Sequence, residues 1–214
     1  MKRILCFGDS LTWGYEPGTG KRYDENTRWT SLLQKNLGCE YKIEEDGISG
    51  RTTTYDLGRN IYQCGLKGLG YALCSNAPLD MVIIMLGSND LEYVLPESIA
   101  VGMDEIIRTV QNANYIYRTP SPIYPDGNPK ILLICPPVIN EKIDELFPYN
   151  SVFGKAASMK KLPELYRNVA KNRNVEFIDA NDYIQTSLVD CVHIDKENHH
   201  KLAEIITEKV KQIL

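Results

Sequence analysis

Ser10 stands directly behind the apolar run Arg3-Ile4-Leu5-Cys6-Phe7 and the pair Gly8-Asp9. A hydroxyl held at the end of a buried strand can act as a nucleophile. It then needs a base to take its proton and fixed donors for the charge that develops on the attacked carbonyl. The chain has three histidines, His193, His199 and His200. His199 and His200 fall inside a helical stretch and read as surface residues. His193 lies in the loop ahead of that stretch and is the candidate base. Asp190, three residues earlier, can hold its far ring nitrogen from the same loop. Two further loops carry groups able to meet an oxyanion, Asp46-Gly47-Ile48-Ser49-Gly50-Arg51-Thr52-Thr53 and Gly87-Ser88-Asn89-Asp90. The candidate donors are the backbone N–H groups of Ser10 and Gly50 and the side-chain amide of Asn89. Asp9, Leu11 and Trp13 flank the serine and are expected to touch a substrate.

These residues need elements that bring them to one place. Apolar runs of strand length alternate with longer amphipathic stretches, and the runs predict strands at about 3–7, 41–45, 81–86, 130–135 and 175–178. Met81-Val82-Ile83-Ile84-Met85-Leu86 is apolar throughout, as a strand covered on both faces must be. Trp29, Leu32, Leu33 and Leu37 have helical spacing, and Gly38 supplies the stop. A helix over about 67–76 is interrupted by Gly68 and Gly70, and Pro96 opens another. The stretch 155–172 predicts a helix kinked at Pro163, and Asp195 caps the last one. Alternating strands and helices predict an α/β class with five parallel strands between two helical layers, in a single domain over 1–214. Ligands of such sheets bind where strands end at their carboxyl ends. Ser10, the Gly50 loop, Asn89 and the Asp190–His193 loop all follow strands.

Composition excludes several classes. The chain has 214 residues, 43% of them hydrophobic, which is enough for a substantial core. A net charge of -4 without a basic stripe argues against a nucleic-acid partner. No apolar run approaches the roughly 20 residues of a membrane span. The run after Lys2 and Arg3 is too short for a signal peptide, so the chain is expected to be cytoplasmic and mature from Met1. The six cysteines include no C-x-x-C pair and are expected to be reduced thiols. No metal and no cofactor is expected.

The blocks Gly8-Asp9-Ser10-Leu11, Gly50, Gly87-Ser88-Asn89-Asp90 and Asp190-Cys191-Val192-His193 resemble, in order, those of the GDSL/SGNH hydrolases. The resemblance implies a flavodoxin-like three-layer α/β/α sandwich, the SGNH hydrolase fold. It implies a triad of Ser10, Asp190 and His193 and an oxyanion hole of Ser10, Gly50 and Asn89. The wording from Arg3 to Gly14, with Arg28-Trp29-Thr30, is similar to small bacterial aryl esterases and acyltransferases. It implies a serine esterase acting on short-chain acyl esters, with acyl transfer to alcohols in some members. A carbohydrate O-acetyl esterase of the same mechanism is the alternative. The G-x-S-x-G elbow of the α/β-hydrolases is absent.

Two further readings compete. His193, Asp195, His199 and His200 suggest a metal-dependent hydrolase, but adjacent helical residues point about 100° apart, so His199 and His200 do not easily share an ion. A non-catalytic binding module is disfavoured because every reacting position is filled. Trp13, Tyr15 and the loop 136–152, with Phe147 and Tyr149, are expected to rim the pocket and admit a small-molecule ester. The stretch 114–125 has three tyrosines and two isoleucines ahead of the fourth strand. It predicts a contact between copies of the chain, hence a homo-oligomer, with Tyr117 and Tyr124 in the contact, and the resemblance to aryl esterases and acyltransferases, some of them octameric, implies two to eight subunits.

Overall fold

The computed structural model describes residues 1–58, 60–127 and 129–214. Five strands form one parallel sheet: β1 (Lys2–Gly8), β2 (Tyr41–Gly47), β3 (Met81–Met85), β4 (Lys130–Cys135) and β5 (Glu176–Asp179), in the order β2-β1-β3-β4-β5. The helices are α1 (Ser10–Trp13), α2 (Trp29–Leu37), α3 (Gly65–Asn76), α4 (Pro96–Gln111), α5 (Ala113–Tyr117), α6 (Ile143–Leu146), α7 (Leu162–Arg173) and α8 (Lys196–Ile213). Strand order and layering are those of the flavodoxin-like sandwich.

Period-two alternation sorts the strand residues between two cores. Leu5, Phe7, Val82, Ile84 and Leu133 face one layer, where Leu69 of α3, Met103 of α4 and Tyr166 of α7 pack. Ile4, Cys6, Ile83, Met85 and Leu132 face the other, against Trp29 of α2 and Leu202 of α8. Coverage on both sides is why β3, and β4 after Lys130, are apolar throughout. The register then sets the functional edge. Gly8 pairs with Gly47 on one side and with Met85 on the other, so β1, β2 and β3 end level. The loops carrying Ser10, Gly50 and Asn89 therefore leave the sheet side by side.

Three expectations are corrected. Pro163 does not kink a helix. A 3-10 turn over Ala156–Lys161 precedes α7, and Pro163 sits in the first turn of α7, where its missing N–H is not needed. His199 is not a surface residue, for it lies on the sheet-facing side of α8 and is fully buried. The stretch 114–125 largely folds back on its own protein. Ile123 and Tyr124 enter the core at 0% and 2% exposure, and Asn114 Oδ1 accepts from the Tyr124 N–H while its Nδ2 donates to the Tyr124 carbonyl. Tyr117 packs against Gly70, where a Cβ would come within 2.6 Å of its ring. Of this stretch, Tyr115 and Ile116 keep substantial apolar surface exposed.

Tyr124→Asp therefore introduces an unpaired carboxylate into the core. Its unfolding free energy should fall by about 3 kcal/mol or more in urea titration. Wild-type stability in that variant would mean that Tyr124 is not enclosed.

Candidate active site

The turn after β1 is built around small dimensions. A Cβ on Gly8 would lie 2.1 Å from Thr12 Oγ1 and 2.8 Å from the Met85 carbonyl, so only glycine lets the strand end this close to its neighbours. Asp9 caps α1, its Oδ1 accepting from the Leu11 N–H at 2.9 Å. Ser10 is then the first residue of the helix and is 6% exposed.

The Asp190–His193 loop meets Ser10 from the far end of the chain. Ser10 Oγ lies 2.9 Å from His193 Nε2, and His193 Nδ1 lies 2.9 Å from Asp190 Oδ2. Asp190 Oδ1 accepts from the backbone N–H groups of Val192 and His193. Cys191 between them takes a left-handed φ of +63°, which wraps the loop around the carboxylate. Burial alone would raise the Asp190 pKa, but the hydrogen bonds from the His193 ring and the two N–H groups hold it below the usual carboxylate range. Asp190 is thus ionised at neutral pH. Tyr15 stacks on the His193 ring, with centroids 4.0 Å apart and planes inclined by 22°.

Facing Ser10 are the groups that could receive an oxyanion. Gly50 has a φ of +79°, and a Cβ there would strike Gln63 Nε2 at 2.5 Å. Neither the Ser10 nor the Gly50 N–H has an acceptor among the described residues. Asn89 Nδ2 donates to the Arg51 carbonyl at 3.0 Å and to Asp9 Oδ2 at 3.3 Å. Arg51 is 2% exposed and ties the strand ends to this loop. Its Nη1 donates to the carbonyls of Gly8 and Asp46, its Nη2 to Asp46 Oδ1 at 2.6 Å, and its guanidinium lies over Phe7. Asp90 joins the last two loops by accepting from the N–H and hydroxyl of Thr53. Burial pushes Asp9 up to about 7 and Asp90 up to about 6.

A cleft of about 610 Å³ lies beside these groups, with Asn89, Asp190 and Val192 among its lining residues. Ile139, Ile143 and Phe147 make its walls apolar. The loop 136–152 does contribute to this rim, as its aromatic residues predict. Trp13 and Tyr15 lie on the other side of His193, with Trp13 beneath Arg22 and its ring centroid 6.3 Å from that of Tyr15. Asp9 is fully enclosed and Leu11 is 2% exposed in the core, so neither presents a side chain to a substrate. Both support the turn that carries Ser10. The roles of Arg51 and Asp90 escape the sequence reading. Each is a charged residue beside a candidate donor, and its burial is visible only once the loops are folded.

A metal centre does not assemble from the histidines. His199 Nδ1 accepts from the Trp29 N–H at 3.4 Å and its ring meets the Tyr23 ring edge-on. Burial drives its pKa down to about 3, so it stays neutral. Among the described residues no group of three or more His, Cys, Asp or Glu is placed to hold an ion.

A flavodoxin-like sandwich with a serine, a histidine and an aspartate in hydrogen-bonded series at its carboxyl edge defines a serine hydrolase of the SGNH class. Residues 6–196 match the GDSL-like lipase/acylhydrolase family, and the chain belongs to that family. It is similar over its full length to the inhibitor-bound aryl esterase of M. smegmatis, with 32% identity, all of that chain covered and a TM-score of 0.87. Est24, a carbohydrate acetylesterase from Sinorhizobium meliloti, is 37% identical, with full coverage of both chains and a TM-score of 0.89. A putative arylesterase from Agrobacterium tumefaciens is 33% identical, again with full coverage of both chains, at a TM-score of 0.85. No functionally curated protein matches the chain. The protein is a serine ester hydrolase.

Asp190→Asn keeps an oxygen for the loop N–H groups but loses the charge opposite His193. It should lower kcat about 10⁴-fold with the fold intact, as judged by circular dichroism. An unchanged kcat would show that another group orients His193.

Proposed function

We propose that the protein hydrolyses short-chain acyl esters through an acyl-enzyme on Ser10. The observation that carries this reading is the unbroken series from Ser10 Oγ through His193 to Asp190, with 2.9 Å at each step. As Ser10 Oγ attacks the ester carbonyl carbon, its proton passes to His193 Nε2. The carbonyl oxygen becomes an oxyanion that accepts from Ser10 N–H, Gly50 N–H and Asn89 Nδ2. Asp190 steadies the imidazolium. The tetrahedral centre collapses, the bond to the alcohol oxygen breaks, and His193 returns the proton to that oxygen. Water then attacks the acyl carbon, giving a proton to His193. Collapse releases the carboxylic acid and restores the Ser10 hydroxyl. An alcohol in place of water completes acyl transfer.

The cleft supports an aryl or alkyl alcohol through Ile139, Ile143, Leu146 and Phe147, while Glu92, Asn150 and Ser151 leave polar groups in the same lining. A sugar alcohol is the second reading, favoured by the similarity to Est24. Self-association, from dimer to octamer, belongs to the same proposal, with Tyr115 and Ile116 as its exposed apolar surface. A cytoplasmic setting is likewise proposed. Among the described residues no helix is long and apolar enough to cross a membrane.

The test is kcat/KM on p-nitrophenyl esters of rising acyl length, with an acetylated sugar alongside. Acetyl and butyryl esters should be turned over at least about 10-fold faster than longer ones, and p-nitrophenyl acetate faster than the sugar acetate, by the scale of one or two methylenes in a shaped pocket. A preference for ten carbons or more would contradict the short-acyl reading. A preference for the sugar would move the assignment to the carbohydrate acetylesterases.

A further inference from the structure

An asparagine amide serves an oxyanion only in one of its two orientations. Turned over, it sets its carbonyl oxygen against the developing negative charge. Something must therefore hold Asn89 with its nitrogen toward the reaction. Nothing in the Asn89 backbone does so, and the answer lies in what Nδ2 faces. Two acceptors meet it, the Arg51 carbonyl at 3.0 Å and Asp9 Oδ2 at 3.3 Å. The first is fixed by the buried guanidinium of its own residue and by the Arg51 N–H bond to the Ile48 carbonyl. The second is fixed because Asp9 is fully enclosed and its other oxygen is tied to the Leu11 N–H at 2.9 Å.

We propose that Asp9 is a positioning residue, which keeps the Asn89 amide turned so that its N–H groups and not its oxygen face the oxyanion. The two bonds divide the work. The shorter one, to the Arg51 carbonyl, anchors the amide throughout. The longer one, to Asp9, occupies the other N–H until the oxyanion appears, and that weaker partner is the one displaced. Flipping the amide in the resting enzyme would put Asn89 Oδ1 against the Arg51 carbonyl, which has no proton to share, and would give up the bond from Nδ2 to Asp9 Oδ2. Burial, which pushes the Asp9 pKa up to about 7, shows how completely this carboxyl is withdrawn from water, with Arg51, Asp90 and His193 as its charged surroundings. The residue flanking the nucleophile thus acts on the reaction through the third loop and not by touching the substrate.

This inference rests on the proposed oxyanion role of Asn89, and a double-mutant cycle separates the two. Asp9→Asn keeps an oxygen to cap α1 but offers Asn89 a donor in place of an acceptor. Its kcat should fall about 10- to 100-fold with KM within about 3-fold, the pattern of a lost transition-state interaction. Asn89→Ala should lose about 100- to 1000-fold. The double variant should match Asn89→Ala within about 3-fold, because Asp9 has nothing left to position. A wild-type kcat in Asp9→Asn, or a double variant about 10-fold or more below Asn89→Ala, would overturn the role of Asp9 alone. A wild-type kcat in Asn89→Ala would overturn the oxyanion reading and this inference with it. Should Asp9→Asn fail to fold, Asp9→Ser, which keeps a short capping oxygen, replaces it in the same cycle with the same criteria.

Discussion

The contact between Ser10 Oγ and His193 Nε2 joins residues 183 positions apart, and the rest of the molecule is arranged so that it can form. The sheet order puts β1 next to β3 and inside the sheet, so Ser10 leaves from the middle of the carboxyl edge. Level strand ends bring Gly50 and Asn89 to the same place. α8 packs on the sheet through Leu202, Ala203 and Ile206, and its Asp195 cap fixes where the preceding loop must stop. His193 therefore arrives opposite Ser10 because two cores, one on each face, hold β1 and α8 in fixed relation. A polar contact of 2.9 Å is the outcome of apolar packing at both ends of the chain.

Keeping polar groups at that edge costs stability. Asp9, Asp90 and Arg51 are all withdrawn from water, and burial disfavours their charged forms. The sign for the two carboxyls is definite. Their folded pKa values, about 7 and about 6, lie above the roughly 3.9 of an unfolded aspartate. The folded state binds their protons more tightly, so their contribution to stability declines as pH rises from about 4 through about 7. His199 acts in the opposite sense. Its folded pKa of about 3 lies below that of an unfolded histidine, about 6.5, so acidification through that window favours the unfolded chain. A fold optimised for stability alone would replace Asp9 and Asp90 with neutral residues. In this fold Asp9 instead accepts from Asn89 and Asp90 from Thr53.

Much of the fold was legible in the sequence because β1, β3 and β4 are covered on both faces. The resulting continuous apolar runs survive in composition as well as in structure. The edge strand β2 was legible too, at 41–45, though the structure extends it to Gly47. The failures have local causes. Pro163 reads as a break inside a helical stretch, yet the preceding residues form a 3-10 turn and the proline starts α7. Tyr124 reads as surplus aromatic surface, yet the Asn114 side chain pins its backbone and draws the ring inward. His199 reads as one of a polar pair, yet the helical stripe places it beside Trp29. At the site, the meeting of Ser10, Asn89, Asp190 and His193 at one edge was legible because each follows a strand. Asp9 and Leu11 read as substrate contacts from their adjacency to Ser10, yet both side chains turn inward. The role of Arg51 is not legible in the sequence, because a single arginine beside a glycine carries no pattern.

The account stands on Ser10 being the group that attacks. The most direct measurement is mass spectrometry of the protein after reaction with a fluorophosphonate, which traps an activated serine without any ester being supplied. The account predicts one adduct, on Ser10, lost in His193→Ala because the hydroxyl is then no longer activated. An adduct on Ser49 or Ser88, or labelling of Ser10 that persists at full rate without His193, would contradict it.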